Sequence, residues 1–558
     1  MTTEMRFPLP FAAALAAAFL SIPAGALGAE TGAPAGPAAA RQRNGPATPP
    51  PAEPVARTGR APGQQAIADA IDAAMDIYGL PGIAVGVIED GRVVAVETRG
   101  ELAAGGGEAV TPDTLFKIAS NTKAMTAGVL ARLVDQGKLR WHDPVVKHLP
   151  QFRMHDPWVT ANMQVRDLLI HNSGLGLGAG DLMLWPEPNT FTRADIIAGL
   201  EHLRPVTSFR SGYAYDNLLY VVAGEVAAAA GGMPFDELVR RELFGPLGMD
   251  GCRVGAWRLD EAGSVARPHR RVDGRNVPVG ERVDAGGVVP DITSMAAGGI
   301  RCGVDDMLKW VGMWLDPADP WLSPAQRRAA WTAHMPMPVS ERMRQWDNSH
   351  FSAYGYGWRL SDVQGEWKVA HTGTLSGMYS SVILLPDRRT GIVILINGEG
   401  EAARTALGQV LLEHYTAPDA RTDVAHYAGL LDRERAQRSA DEPLPDTSSR
   451  RPADAAQARS LLGVWRDPWF GEVALCPRAD GVGFASARSP LMRGRLMRVG
   501  ERWLVDWDAD SVDAEVWLHP PSPADGNGAT LTLSHVDPDA DFSYDYGDLA
   551  FTRLRDCP

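Results

Sequence analysis

Ser120 and Lys123, in Ser120-Asn121-Thr122-Lys123, are three residues apart. On a helix that spacing puts both side chains on one face. A neutral lysine can then take the proton from the serine hydroxyl as it attacks a carbonyl, provided burial or nearby cations disfavour the ammonium form. Phe116, Ile118 and Ala119 make the approach to Ser120 apolar, which suits that need. The plain alternative is a helix cap and a solvated charge. Tyr215-Asp216-Asn217 offers a phenol able to relay a proton to a leaving group and an amide able to hold a substrate amide. Its plain alternative is a packed tyrosine followed by an N-cap asparagine. In His371-Thr372-Gly373-Thr374, a glycine on an edge strand would let a substrate backbone approach, and a backbone N–H would polarise the scissile carbonyl. Its alternative is a histidine and threonines decorating a strand end.

Other chemistries lack their residues. No serine sits in G-x-S-x-G, and no H-E-x-x-H occurs. Neither a Walker A loop nor a dinucleotide glycine signature is present on a plausible strand-turn-helix. No cofactor and no metal site is expected. Asp537, Asp539, Asp541, Asp545 and Asp548 are spaced like a calcium loop, but Phe542 stands where glycine belongs and Asp548 where glutamate belongs. Phe542, Tyr544 and Tyr546 alternate as on a barrel strand with solvated aspartates.

The elements that must position these residues show in the periodicity. Ile67, Ile71, Met75 and Tyr78 mark an amphipathic helix stopped by Gly79. Gly82 to Ile88 and Arg92 to Thr98 flank Glu89-Asp90-Gly91 as a hairpin. A second hairpin pairs Ser380 to Leu385 with Ile392 to Asn397, and a helix follows from Ala402 to Tyr415. Helices are also expected over Ala124 to Val134 and Leu218 to Ala230. Strands at both ends with helices between predict an α+β domain whose terminal hairpins share one antiparallel sheet. Residues 417–460 read as a helix and an exposed linker. Beyond Leu461 short β segments predict a small barrel or sandwich: Glu472 to Leu475, Arg502 to Trp507, Ala514 to Leu518, Ala529 to Ser534 and Phe542 to Leu554.

Composition narrows the class. With 45% hydrophobic and 22% charged residues, the 558-residue chain is globular and long enough for two or three units. A net charge of −14 argues against a nucleic-acid partner. Arg6, the apolar run Phe11 to Leu20 and Ala24-Gly25-Ala26 read as a cleavable secretory signal over 1–26, too short to span a membrane. No later run reaches that length, so stable membrane insertion is not expected, and the periplasm or the exterior is the expected location. Residues 27–63, rich in Ala, Gly and Pro, read as a disordered leader. Export permits disulfides among Cys252, Cys302, Cys476 and Cys557. Pairing 252 with 302 and 476 with 557 keeps each bond within one expected domain; free thiols are the other reading.

The three motifs in this order resemble the serine β-lactamase and penicillin-recognising peptidase superfamily: S-x-x-K, then Y-x-N, then K-T-G or H-T-G. The similarity extends through Val165-Arg166-Asp167-Leu168-Leu169-Ile170-His171-Asn172-Ser173-Gly174-Leu175, and also Pro246-Leu247-Gly248-Met249, Ala297-Gly298-Gly299-Ile300 and Tyr354-Gly355-Tyr356-Gly357-Trp358. It covers Gln64 to Tyr415, implying a β-lactamase-like hydrolase domain over 64–416. It further implies an acyl-enzyme on Ser120, with Lys123 as base partner, Tyr215 as proton shuttle and Asn217 as orienting amide. The oxyanion hole would be the N–H groups of Ser120 and Thr374. His371 replaces the lysine usual in true β-lactamases, so the motif resembles that of D-alanyl-D-alanine carboxypeptidases and related D-amino-acid peptidases. In those, Thr372 and Thr374 would bind a substrate carboxylate, with Arg359 as a cationic partner by nearness. Peptide, β-lactam and ester substrates all stay open, as does a binding protein that has lost catalysis. Residues 461–558 resemble the lipocalin-like domain appended to some of these hydrolases. Oligomeric state is not legible.

Overall fold

The computed structural model describes residues 62–509, 512, 514–521 and 530–558. The expected export signal, and the leader up to residue 61, lie outside the described residues.

The longer helices that frame the site are α1 (Pro62–Tyr78), α2 (Thr122–Asp135), α3 (Leu218–Gly231), α4 (Val304–Leu315), α5 (Glu401–Thr416) and α6 (Val424–Asp441). The first sheet contains β1 (Gly82–Glu89), β2 (Arg92–Gly100), β3 (Met335–Pro336), β4 (Ser352–Tyr354), β5 (Arg359–Val363), β6 (Glu366–Leu375), β7 (Met378–Leu385) and β8 (Thr390–Ile396). Its order is β2-β1-β8-β7-β6-β5-β4-β3, and every pairing is antiparallel. The two terminal hairpins meet at Ile83↔Ile396 through Ile88↔Gly391, as expected. Asp90 (φ 47°) and Gly91 (φ 73°) make the first turn left-handed, which matches the twist of the flanking strands.

These central strands read as continuous apolar runs because both faces are covered. Ile83, Val85 and Val87 pack with α1 and α5, while Ala84 and Ile88 face the core that contains α4. No single described helix is long and apolar enough to cross a membrane.

The second sheet is a barrel. Its strands are β9 (Gly463–Asp467), β10 (Gly471–Arg478), β11 (Gly481–Ser486), β12 (Arg493–Val499), β13 (Arg502–Trp507), β14 (Val516–His519), β15 (Leu531–His535) and β16 (Ala550–Arg555). Among the described residues these eight close on themselves through β12–β13. Alternating Val473/Leu475, Val516/Leu518 and Leu531/Leu533 fill the interior. Sequence reading missed β9, β11 and β12, whose arginines and glycines mask the alternation. It also overextended the last strand. Residues 542–549 are a loop with one 3₁₀ turn at Tyr546–Asp548, and pairing starts only at Ala550. The alternating aromatics there are not a strand, because Phe542 and Tyr546 serve different contacts.

The structure forms both disulfides of the favoured pairing, Cys252–Cys302 and Cys476–Cys557. The apolar core is continuous from the helices around α2 and α3 into the barrel interior.

Candidate active site

The Ser120 turn is the junction on which the site is built. The short strand Phe116–Lys117 pairs with Arg301–Cys302, whose last residue is stapled to Cys252. A 3₁₀ turn, Ala119–Asn121, leads into α2. Ala119 carries φ 49°, a left-handed conformation that is strained for a residue with a Cβ and needs strong support. That support comes from β7 and β6. Ser380 Oγ donates to Ile118 O at 2.6 Å, and Asn121 Nδ2 donates to Ser380 Oγ at 2.8 Å. Gly373 lies so close that a Cβ there would fall 2.3 Å from Ile118 O.

Lys123, on the first turn of α2, is fully buried. Its Nζ lies 3.1 Å from Ser120 Oγ, 2.7 Å from Asn217 Oδ1 and 3.0 Å from Ala297 O. Burial draws the ammonium down to about 7, partly offset by Asp181 and Asp216, with Arg359 adding to the drop. Two of these three partners are carbonyl oxygens that only accept. A neutral amine therefore gives its two protons to Asn217 and Ala297 and turns its lone pair toward Ser120. This arrangement suits a base rather than a solvated charge.

Asn217 is held from behind. Its Nδ2 donates to Asp181 Oδ2 at 2.7 Å, which leaves Oδ1 to accept from Lys123 Nζ. Burial pushes the Asp181 carboxyl up, against the pull of Asn217, Lys123 and Ser543. Asn217 does not cap α3 with its side chain; Asp216 Oδ1 accepts from Leu219 N at 3.3 Å instead. The expected capping alternative is thus filled by the neighbour, and the amide stays in the site.

Tyr215 is buried, 6% exposed, with its ring 4.8 Å from Lys123 Nζ. Burial pushes its phenol up, opposed by the Ser120 hydroxyl and Arg359. His171 packs on it at 4.2 Å between centroids. Arg359, at the start of β5, puts its guanidinium 5.9 Å from the same ring. Arg359 is exposed across the cleft, and among the described residues no carboxylate pairs with it.

Two expectations for the third motif need correction. Gly373 is on an interior strand, not an edge. β5 ends its pairing at Arg359↔Ala370, however, so residues 371–375 run on past it, with β7 as their strand partner. The open stretch exists because the neighbour is short. His371 is 1% exposed and both ring nitrogens are engaged, Nδ1 with Thr372 O at 2.7 Å and Nε2 with Tyr354 Oη at 2.8 Å. Burial, helped by Arg359 and Lys123, keeps the imidazole neutral. It braces the strand and has no free nitrogen for substrate. Thr372 and Thr374 are exposed on the opposite face of the strand.

Sequence reading missed Arg404 and Asp181. Arg404, on α5, is buried and donates to Gly373 O at 2.7 Å and Thr374 Oγ1 at 2.9 Å. An arginine at a core-facing position of an amphipathic helix is the signal that marks it. A cavity of about 440 Å³ opens beside the site, lined by Gly298, Gly299 and Leu375, with Lys117, Glu281 and Arg301 around it.

A family model described as Beta-lactamase matches residues 67–416, well over half of the chain. The chain belongs to the beta-lactamase and penicillin-binding protein superfamily. It is 28% identical over 377 residues to an unguisins hydrolase of Aspergillus campestris, covering 65% of this chain and 67% of that one. Penicillin-binding protein 4 of Amycolatopsis lactamdurans is 26% identical over 388 residues, 65% of this chain and 96% of its own. The D-alanyl-D-alanine-carboxypeptidase/endopeptidase AmpH of Escherichia coli is 25% identical over 343 residues, 57% of this chain and 80% of its own. The octameric penicillin-binding protein homologue from Pyrococcus abyssi shares the fold, with TM-score 0.55 and 20% identity over 84% of this chain and 97% of that one.

Proposed function

We propose that this chain is an exported serine hydrolase that acylates itself on Ser120 and acts on peptides ending in, or containing, D-amino acids. The observation that carries the reading is Lys123, buried with its amine between Ser120, Asn217 and Ala297. Ser120 Oγ attacks the carbonyl as Lys123 takes its proton. The oxyanion lies between the N–H groups of Ser120 and Thr374. Tyr215 and Lys123 return the proton to the leaving amine, and water then hydrolyses the ester. Asn217 holds the substrate amide. The unpaired Arg359, with Thr372 and Thr374 on the same open edge, suits a leaving residue that ends in a carboxylate. The pattern of Arg6, the apolar run and Ala24-Gly25-Ala26 supports export.

The test is intact mass of the mature protein over time with benzylpenicillin and, separately, release of D-alanine from an N-acyl-D-alanyl-D-alanine. A lasting penicilloyl adduct on Ser120 with D-alanine release is expected, and both vanish in Ser120→Ala. A transient adduct with accumulating penicilloate would assign the chain to β-lactam hydrolysis instead. Hydrolysis that survives Ser120→Ala would remove the nucleophile assignment.

A further inference from the structure

The barrel reaches the reacting groups through the loop between β15 and β16. Gly178 carries φ 69°, and a Cβ there would fall 2.5 Å from Phe542 O and 2.8 Å from Phe542 Cδ2. The loop therefore seats on backbone that only glycine leaves open. The same Gly178 donates its N–H to Tyr215 O at 2.8 Å, so the contact is one residue removed from the catalytic candidate. The Phe542 ring meets the Tyr215 ring edge-on at 5.8 Å.

The loop is well held. Asp541 accepts from Ser543 N at 2.9 Å through its side chain and from Tyr544 N at 3.0 Å through its carbonyl. Tyr546 is fully buried and donates to Ala514 O at 3.2 Å. Phe542 nevertheless stays 38% exposed. A large ring anchored by its own backbone, touching the tyrosine and left open on one side, presents an apolar wall to whatever occupies the space over Tyr215. Arg359 borders the same ring, its guanidinium 5.9 Å from the centroid.

We propose that Phe542, contributed by the barrel, is a specificity-determining residue that limits the leaving group to a small one, of the size of a single amino acid whose carboxylate meets Arg359. This rests on the reading that Ser120 is acylated and that Tyr215 delivers the proton to the departing group. The barrel is then one wall of the catalytic cleft.

Acylation of the full mature chain by phenyl acetate and by 4-biphenylyl acetate tests this. In each case the Ser120 Oγ–acyl bond forms as the aryloxide leaves with the serine's proton. The rate is read as release of the phenol, and the adduct on Ser120 by mass. Phe542→Ala is expected to raise the biphenylyl-to-phenyl ratio at least about tenfold, and Phe542→Trp to lower it; a folding defect slows both esters and does not move the ratio in opposite directions. A ratio within about twofold of the unsubstituted protein in both variants, with Ser120 still acylated, overturns the role of Phe542 alone. No adduct on Ser120 with either ester overturns the nucleophile reading, and the role of Phe542 with it.

Discussion

Lys123 is the residue whose surroundings say most. Its pKa is drawn below the usual lysine value because burial penalises the ammonium more than Asp181 and Asp216 stabilise it. A base works when unprotonated. Acylation, kcat/KM, should therefore rise with pH, reach half its plateau near 7 and stay flat above. Lys123→Met should lower the plateau by about 10²- to 10⁴-fold and erase that limb. Asp181→Asn gives a finer test. The carboxylate raises the lysine value, so its loss should move the limb to lower pH, while a loosened Asn217 lowers the plateau about tenfold. Stopped-flow acylation between about pH 5 and 9 measures both. An unmoved limb in Asp181→Asn would mean that Asp181 carries no charge in the site. At this scale Ser120 and Lys123 stood out by type and spacing, Tyr215 and Asn217 took their roles from the resemblance and Arg359 only from nearness to the third motif, and the structure brings all five together. Asp181 was not legible, since an aspartate in a glycine-rich loop carries no pattern.

At the scale of elements, the site depends on β6 lying against the Ser120 turn. Gly373 permits that approach, with Ile118 O 2.3 Å from where a Cβ would be. Gly373→Ala must push the strand end away from the turn. A displacement of that kind costs about 10²-fold in acylation, and overpacking here costs about 1–3 kcal/mol of stability. Denaturant unfolding with acylation kinetics checks the pair of effects; near-normal kinetics would show that the turn yields and the site does not need the contact. The amphipathic first helix was readable because a period of 3.6 survives on its packed face, and the terminal hairpins because short apolar runs flank turn residues. β5 starting only at Arg359, opposite Ala370, was not, because strand length relative to a neighbour is a pairing property. The barrel strands failed for another reason: short, glycine- and arginine-rich segments carry few apolar positions.

For the whole molecule, the question is whether the barrel is an appendage. Phe191 packs on Phe470 at 5.9 Å, Thr190 N donates to Arg488 O at 2.8 Å, and Arg488 Nη2 pairs with Asp195 at 2.7 Å. With a core continuous across both sheets, the full chain should unfold in one cooperative transition. A chain ending at Asp441 should expose the apolar surface around Phe191, which packs on Phe470, and lose solubility or its fold. Calorimetry decides this; two separated transitions, with the truncated chain soluble and acylated by penicillin, would make the barrel independent.

The amino-acid sequence by itself offered Ser120, Lys123, Tyr215 and Asn217 as candidates, whose roles came from the resemblance that their motif order carries, together with the two classes of sheet and the cysteine pairing that keeps each disulfide within one domain. Residue types at short spacing, apolar runs and helical periods are local properties of the chain, which is why they could be read without the fold. Tertiary structure alone decided that His371 is spent inside the fold, that Arg404 and Asp181 hold the motifs in place, and that Phe542 stands beside Tyr215. Those facts join residues on different elements, from 17 positions apart for Tyr354 and His371 to over three hundred for Tyr215 and Phe542, and such contacts are set by how packed surfaces meet, which no local pattern encodes.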